Sequence, residues 1–197
     1  MEFREVVRRR RMVRNYTGAP VDRESLDRIL DAGRRAPSAG HTQGQSFVVV
    51  TSAVGRGRIA DLAGESEYVD RGFDPWISRA SALIVVCVSE TAYHRRYSES
   101  DKTDAAGNEI EWPIPFWWVD AGAAMMAILY ATVDEGLAAG FLGVHSIEDL
   151  ASELRIPSDV TPIGIVTIGH PAPDRRSGSL SRGRRTIDDV IRFESWE

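Results

Sequence analysis

From Phe116 to Val133 the chain is almost uninterruptedly apolar, and no other stretch limits its fold so strongly. The segment approaches the roughly 18–20 residues that cross a bilayer as a helix. It therefore belongs either in a membrane or at the centre of a protein core. Asp120 lies inside it, Ala121, Gly122, Ala123 and Ala124 keep part of it small, and no second segment of its kind accompanies it. Those features favour a helix buried in a domain, or between two copies of one, and no membrane is expected as a partner. A chain of 197 residues suits one such domain, taken here as 1–197.

The rest of the sequence alternates helical and strand-like patterns without strict order. Phe3, Val6 and Val7 give a first helix a short apolar stripe. Asp22 is placed to cap a second, with Leu26, Ile29 and Leu30 on one face. Pro37, Ser38 and Gly40 end that helix. Phe47–Thr51, Ala82–Ser89 and Ile163–Ile168 are β-branched, apolar runs suited to buried strands. Helical stretches are expected near Arg58–Ala63, Pro75–Ala80 and Ile147–Leu154, and a short apolar segment at Phe141-Leu142. The mixture points to an α+β domain. Residues 91–115 read as one long loop with charge, Tyr93, Tyr97 and Trp112, a composition that suits a mobile lid. Phe193 and Trp196 make an aromatic tail, and 186–197 is expected to reach onto a partner chain.

Several chemistries find no support. The net charge is -5, from 24 basic and 29 acidic residues, so no general basic field exists to hold nucleic acid. The four histidines are isolated from one another, which gives no metal-ligand spacing. Cys87, the single cysteine, sits in an apolar run and reads as a small buried hydrophobe. Gly55-Arg56-Gly57 imitates the start of a dinucleotide fingerprint, but the second hydrophobic strand that the motif requires is replaced by a polar stretch. The first residues lack the apolar core of a signal peptide, which makes the cytoplasm the expected location.

Three separated segments carry the functional signal. They are Arg10-Arg11-Met12-Val13-Arg14-Asn15-Tyr16, the turn Pro37-Ser38-Ala39-Gly40-His41-Thr42-Gln43, and Arg182-Gly183-Arg184. Guanidinium forks grip phosphate bidentately, and a turn of small residues lets a flat ring approach the backbone. Taken alone, the run Arg8–Arg11 is equally a solvated helix end, and the turn a plain helix stop.

Together the segments resemble the FMN-binding framework of the nitroreductase family. The first is similar to the pattern Arg-Arg-Ser-x-Arg-x-aromatic, here with Met12 in place of Ser. The second is similar to Pro-Ser-x-x-Asn-x-Gln-Pro-Trp, here with His41 for Asn and Gly44-Gln45 for Pro-Trp. Ile168-Gly169-His170-Pro171 parallels the family's Ile-Gly-Tyr-Pro. The resemblance implies a nitroreductase-like fold, a central mixed β-sheet wrapped by helices in an intertwined homodimer, with two FMN sites across the interface. It places Arg10, Arg11, Met12, Arg14, Arg182 and Arg184 at the phosphate, ribityl chain and ring of one site. Pro37, Ser38, Ala39 and His41 are then supplied by the other subunit, and backbone groups of Gly143 and Val144 lie by the flavin N5 and O4. It further implies hydride transfer from NADH or NADPH through flavin to a small organic acceptor. A flavin or deazaflavin storage protein with little turnover is the alternative.

Overall fold

The computed structural model describes residues 1–175 and 177–196. In chain order the elements are α1 (Phe3–Arg9), α2 (Arg23–Arg34), a 3-10 turn (Ala39–His41), β1 (Gln45–Val50), α3 (Ala53–Leu62), α4 (Glu65–Asp70), α5 (Trp76–Arg79), β2 (Ala82–Val88), α6 (Glu90–Tyr97), α7 (Phe116–Asp134), β3 (Ala138–Leu142), α8 (Ile147–Glu153), β4 (Thr161–Gly169), a second 3-10 turn (Gly178–Arg182) and α9 (Ile187–Val190). Asp22 caps α2 as expected, accepting from the Ser25 N–H at 2.7 Å. Ser52, Ser89 and Ser146 cap α3, α6 and α8 in the same way.

The four strands form one sheet in the order β1-β2-β4-β3. β2 is buried along its whole length, and its alternating side chains feed two cores. Leu83, Val85 and Cys87 pack with Ile59, Ile77 and Leu150 under α3, α5 and α8. Ala82, Ile84 and Val86 pack with Leu26, Ile29, Ile128 and Leu129 under α2 and α7. Cys87 is buried as expected, and burial pushes its thiol up to about 11.

The α+β class holds, but the mixed sheet is corrected. Every strand pair is antiparallel, and parallel pairing among the described residues is confined to the isolated bridge between Met12 and Ala139. A bulge interrupts β4 where Val86 pairs with Gly164 and Cys87 with Pro162. Pro162 is tolerated there because β3 pairs no further along β4 than Ile165.

The loop expected over 91–115 is also corrected. Residues 91–97 belong to α6, because Ser89 caps the helix and Tyr93 is fully buried. The irregular remainder is fastened by Trp112, whose ring lies 4.4 Å from that of Tyr97 and 5.7 Å from that of Trp117. The Trp112 indole N–H donates to Glu109, and the same carboxylate meets His94 Nδ1 at 2.7 Å. Between the helices expected near residues 58 and 75 the chain adds α4.

α7 is the apolar helix anticipated from the sequence. It contacts α1, α2 and all four strands. By length and composition it could cross a membrane, yet its inward face is core. Its other face is open: Phe116, Trp118 and Val119 are exposed, and a Cβ built on Gly122 would meet nothing within 4 Å. The C-terminal segment is likewise unpacked, with Ile187, Val190, Phe193 and Trp196 exposed. Glu197, the last residue of the expected arm, lies outside the described residues.

Gly33 lets α2 approach α7, since a Cβ there would come within 2.7 Å of Ile128 and 3.1 Å of Phe47. Gly33→Val should destabilise the protein by about 1–3 kcal/mol in urea denaturation, as overpacked cores do. An unchanged midpoint would contradict this packing.

The His94–Glu109 tie should depend on pH. The hydrogen bond to Glu109 raises the His94 pKa above its usual 6.5. The bond from Trp112, and then that from His94, lowers the Glu109 pKa. The histidine contribution is therefore complete below pH 6.5 and is lost as pH rises through the folded value. The Glu109 contribution is lost on acidification below its ordinary range. Backbone hydrogen exchange around Trp112, corrected for intrinsic rate, should be slower at about pH 6 than at about pH 9. His94→Ala should abolish the difference.

Candidate functional site

The arginine segment is held along the free edge of β3. Tyr16 is its anchor: the phenol is buried and bonds Thr167 Oγ1 at 2.6 Å, and burial pushes its pKa up. The Val13 N–H donates to the Ala139 carbonyl at 3.0 Å. Only glycine fits at position 140, since a Cβ would stand 2.6 Å from the Val13 oxygen. On its other side the segment is tied to the chain that leaves β4. Thr17 N–H donates to His170 O, Ala172 N–H to Asn15 O, and Asn15 Nδ2 to Pro173 O at 2.8 Å.

Beside these ties lies an open cavity of about 680 Å³ whose wall includes Arg10, Arg11, Arg14, Arg175 and Arg184, with Met12 and Asp174. Its size lies within the range of small-molecule sites, commonly about 300–1,000 Å³. Five of the six residues expected there from the N- and C-terminal segments are thus brought together. The sixth, Arg182, does not line the cavity and sits exposed at the end of the second 3-10 turn. Gly183, at φ 69, turns the backbone between it and Arg184.

Many other arginines are already paired. Arg8 and Arg9 bind Glu5, holding that carboxyl down at about 2, while Arg34 and Arg35 bind Asp31. The Arg8–Arg11 run is therefore split: its first half is a charge-balanced helix end and its second half enters the cavity. Arg10 and Arg184 make no ion pair among the described residues. The Arg14 guanidinium lies 5.9 Å from the centre of the Trp76 ring.

Asp174 is the cavity's acidic member, and the sequence reading missed it. Its side chain is 3% exposed, and Oδ2 accepts from Arg11 Nη1 and from the Arg14 backbone N–H, each at 3.1 Å. Nothing in Ala172-Pro173-Asp174 signals the role, which arises from tertiary contact.

The second expected set forms its own cluster. Ser38 Oγ accepts from Gln43 N–H at 2.9 Å, closing the turn, and Gly40 (φ 60), His41 (φ 55) and Gln43 (φ 53) all take left-handed conformations. Such geometry in non-glycine residues costs energy and clusters at functional sites. The turn is fixed to α7 by Asp120, whose Oδ2 accepts from Ala39 N–H at 2.8 Å and from the Tyr93 phenol at 2.7 Å. Asp120, the acid within the apolar run of α7, is thus a positioning group for the turn. Arg96 Nε donates to the Gly40 carbonyl at 3.0 Å. Pro37 and His41 are exposed, and His41 Nε2 is 3.0 Å from Gln43 Nε2.

No hydrogen bond or ion pair joins the arginine cavity to the Ser38–His41 turn among the described residues. Gly143 and Val144 do not line the cavity either. Gly143 is exposed just past β3, and Val144 packs on the core beneath α3 and α8. A single chain therefore presents two separate clusters of the expected residues rather than one pocket.

The comparisons with known proteins agree with the fold. The model described as "Nitroreductase family" matches residues 7–170. A protein of Methanothermobacter thermautotrophicus, provisionally named NADH dehydrogenase/NAD(P)H nitroreductase, is 27% identical over 201 residues, covering 100% of this chain and 88% of its own. The FMN reductase [NAD(P)H] of Bacillus subtilis is 29% identical over 168 residues, covering 82% of this chain and 63% of its own. The solved nitroreductase family protein of Streptococcus pneumoniae superimposes with a TM-score of 0.76 at 18% identity, covering 98% of this chain and all of that one. The family model's match over residues 7–170 and the shared fold lead to one conclusion: the chain belongs to the nitroreductase family.

Proposed function

We propose that the protein is an FMN-dependent oxidoreductase that takes hydride from NADH or NADPH and delivers it to a small organic acceptor such as a nitroaromatic, quinone, enone or free flavin. The observation that carries this reading is the cavity walled by Arg10, Arg11, Arg14, Arg175 and Arg184. A phosphate ester bears about -1.5 to -2 charges at neutral pH and needs such partners once it leaves water. The names of the relatives, an NAD(P)H nitroreductase and an FMN reductase, support the same chemistry.

When bound, FMN supplies the atom that accepts and gives up hydride. The chain's own task is to hold, orient and polarise. Arg10 and Arg184, free of internal ion pairs, grip phosphate. Arg14, steadied against Trp76, offers positive charge where negative charge develops. Asp120 and Tyr93 fix the turn at Ser38–His41, which presents small residues to a flat ring. No general acid or base is required of the protein beyond positioning and charge stabilisation, because the cofactor carries the chemistry.

Freshly purified protein should show a flavin absorption spectrum that bleaches anaerobically with NADH or NADPH. Arg182→Ala with Arg184→Ala should weaken flavin retention at least tenfold, and unchanged affinity would sink the assignment. Flavin that stays oxidised with both nicotinamides would favour storage of a flavin or deazaflavin over catalysis.

The complete site is formed by two copies of the chain, the turn of one completing the arginine cavity of the other. The open face of α7 and the exposed apolar tail are what such a dimer would cover. Gly122→Leu separates this from intrachain effects, because the added side chain starts in open space within one chain. In sedimentation it should yield monomers that have lost FMN. Monomers holding FMN at full affinity would overturn the shared site.

A further inference from the structure

The Ser38–His41 turn is held by α6 as well as by α7. Gly40 and His41 share a trans peptide plane, so its carbonyl and its N–H point in opposite directions. The His41 N–H donates to the Ser38 carbonyl at 2.9 Å, inside the turn. The Gly40 carbonyl accepts from Arg96 Nε at 3.0 Å. Both ends of one peptide plane are therefore tied, one by the turn itself and the other by α6. Tyr97, the next residue of α6, closes on the other side of Gly40, where a Cβ would stand 2.8 Å from its ring.

Without the second tie this plane could turn over. A flip would carry His41 from φ 55 into the ordinary extended region, and Gly40, lacking a Cβ, can accept the backbone change on its own side. The observed state is the strained one, and such strain persists only when surrounding contacts hold it. Arg96 suits that task. Its Nη1 and Nη2 meet the two oxygens of Asp101 at 2.7 Å each, and Nη1 also meets Glu99 at 2.9 Å. The guanidinium is thus oriented independently of the carbonyl it reaches. Asp101 and Glu99 belong to the irregular segment after α6, which also seats Trp112 on Tyr97 at 4.4 Å. Segment and turn meet at adjacent residues of one helix end.

We propose that Arg96 is a positioning residue: through its fork on Asp101 it locks the Gly40–His41 peptide plane, so that the segment after α6 fixes the face of the turn presented to the ring. The inference rests on the flavin reading above, in which this turn lies against the ring of the flavin held by the partner chain. An ordinary ion pair between Arg96 and Asp101 requires only charge, whereas the lock requires the planar fork.

The test compares wild-type protein with Arg96→Lys and Asp101→Asn, through backbone hydrogen exchange and the visible absorption spectrum of bound FMN. Arg96→Lys keeps the charge but has no fork to span a carboxylate and a carbonyl. Asp101→Asn leaves Arg96 in place and removes the charge that aligns it. Each should speed exchange of the His41 N–H by about fivefold or more, the worth of one hydrogen bond. Each should also shift the flavin absorption maxima, while exchange in β2 stays as in wild type. Unchanged exchange at His41 in both variants overturns the proposal and leaves the flavin reading intact. Arg96→Lys that behaves as wild type also overturns it, because charge alone would then suffice. So does faster exchange at His41 with an unchanged flavin spectrum, since the turn's geometry would not reach the ring. Exchange that rises equally in β2 would mark general destabilisation and overturns it as well. Wild-type protein that binds no FMN overturns the flavin reading together with it.

Discussion

The structure depends on burying β2 from both sides. Seven consecutive residues, Ala82–Val88, lose contact with water, and the pleat sends alternate side chains to opposite faces. A strand with two apolar faces cannot lie on a surface, so each face must be covered, one by α2 and α7 and the other by α3, α5 and α8. Antiparallel pairing with β1 and β4 on either side satisfies its backbone. This placement sets β4 one strand from the centre and leaves β3 as an outer strand, with an edge onto which the arginine segment is laid.

Two buried carboxylates then organise the arginine cavity and the Ser38–His41 turn. Asp174 gathers Arg11 and the backbone of Arg14 beside the chain leaving β4. Asp120 holds the Ser38–His41 turn against α7 and shares its oxygen with the Tyr93 phenol, whose pKa is raised by burial and by that bond. In each case removing the acid would leave donors without a partner in a poorly hydrated place, a larger loss than the bond itself contributes. The numerous arginines of this acidic chain are largely neutralised in pairs at the surface, where such pairs contribute little. Of those in the cavity, Arg10 and Arg184 make no such pair among the described residues.

Much was legible in the sequence where local rules dominate. The cap at Asp22, the apolar helix α7, the buried runs of β2 and β4 and the inert Cys87 follow from short-range pattern and burial, whereas β1, expected to be buried, lies half-exposed at the sheet edge. So does the grouping of Arg10, Arg11, Met12, Arg14 and Arg184, although it came through a resemblance rather than through spacing. The reading failed where a distant contact decides. Residues 91–97 look like loop because their charge obscures the single buried face that Tyr93 provides. The sheet was expected to be mixed, but the order of strands is not written in any one of them.

The amino-acid sequence by itself determined which segments must be buried, where helices begin and which cations could meet a phosphate, since hydrophobic period, capping and charge are properties of neighbouring residues. Tertiary structure alone decided that Asp174 and Asp120 are the organising acids and that the arginine cavity and the Ser38–His41 turn stand apart within one chain. A carboxylate's role is set by the donors that surround it. Here those donors come from residues as far apart as Arg11 and Asp174, or Ala39 and Asp120, and only the packed sheet brings them within hydrogen-bonding distance.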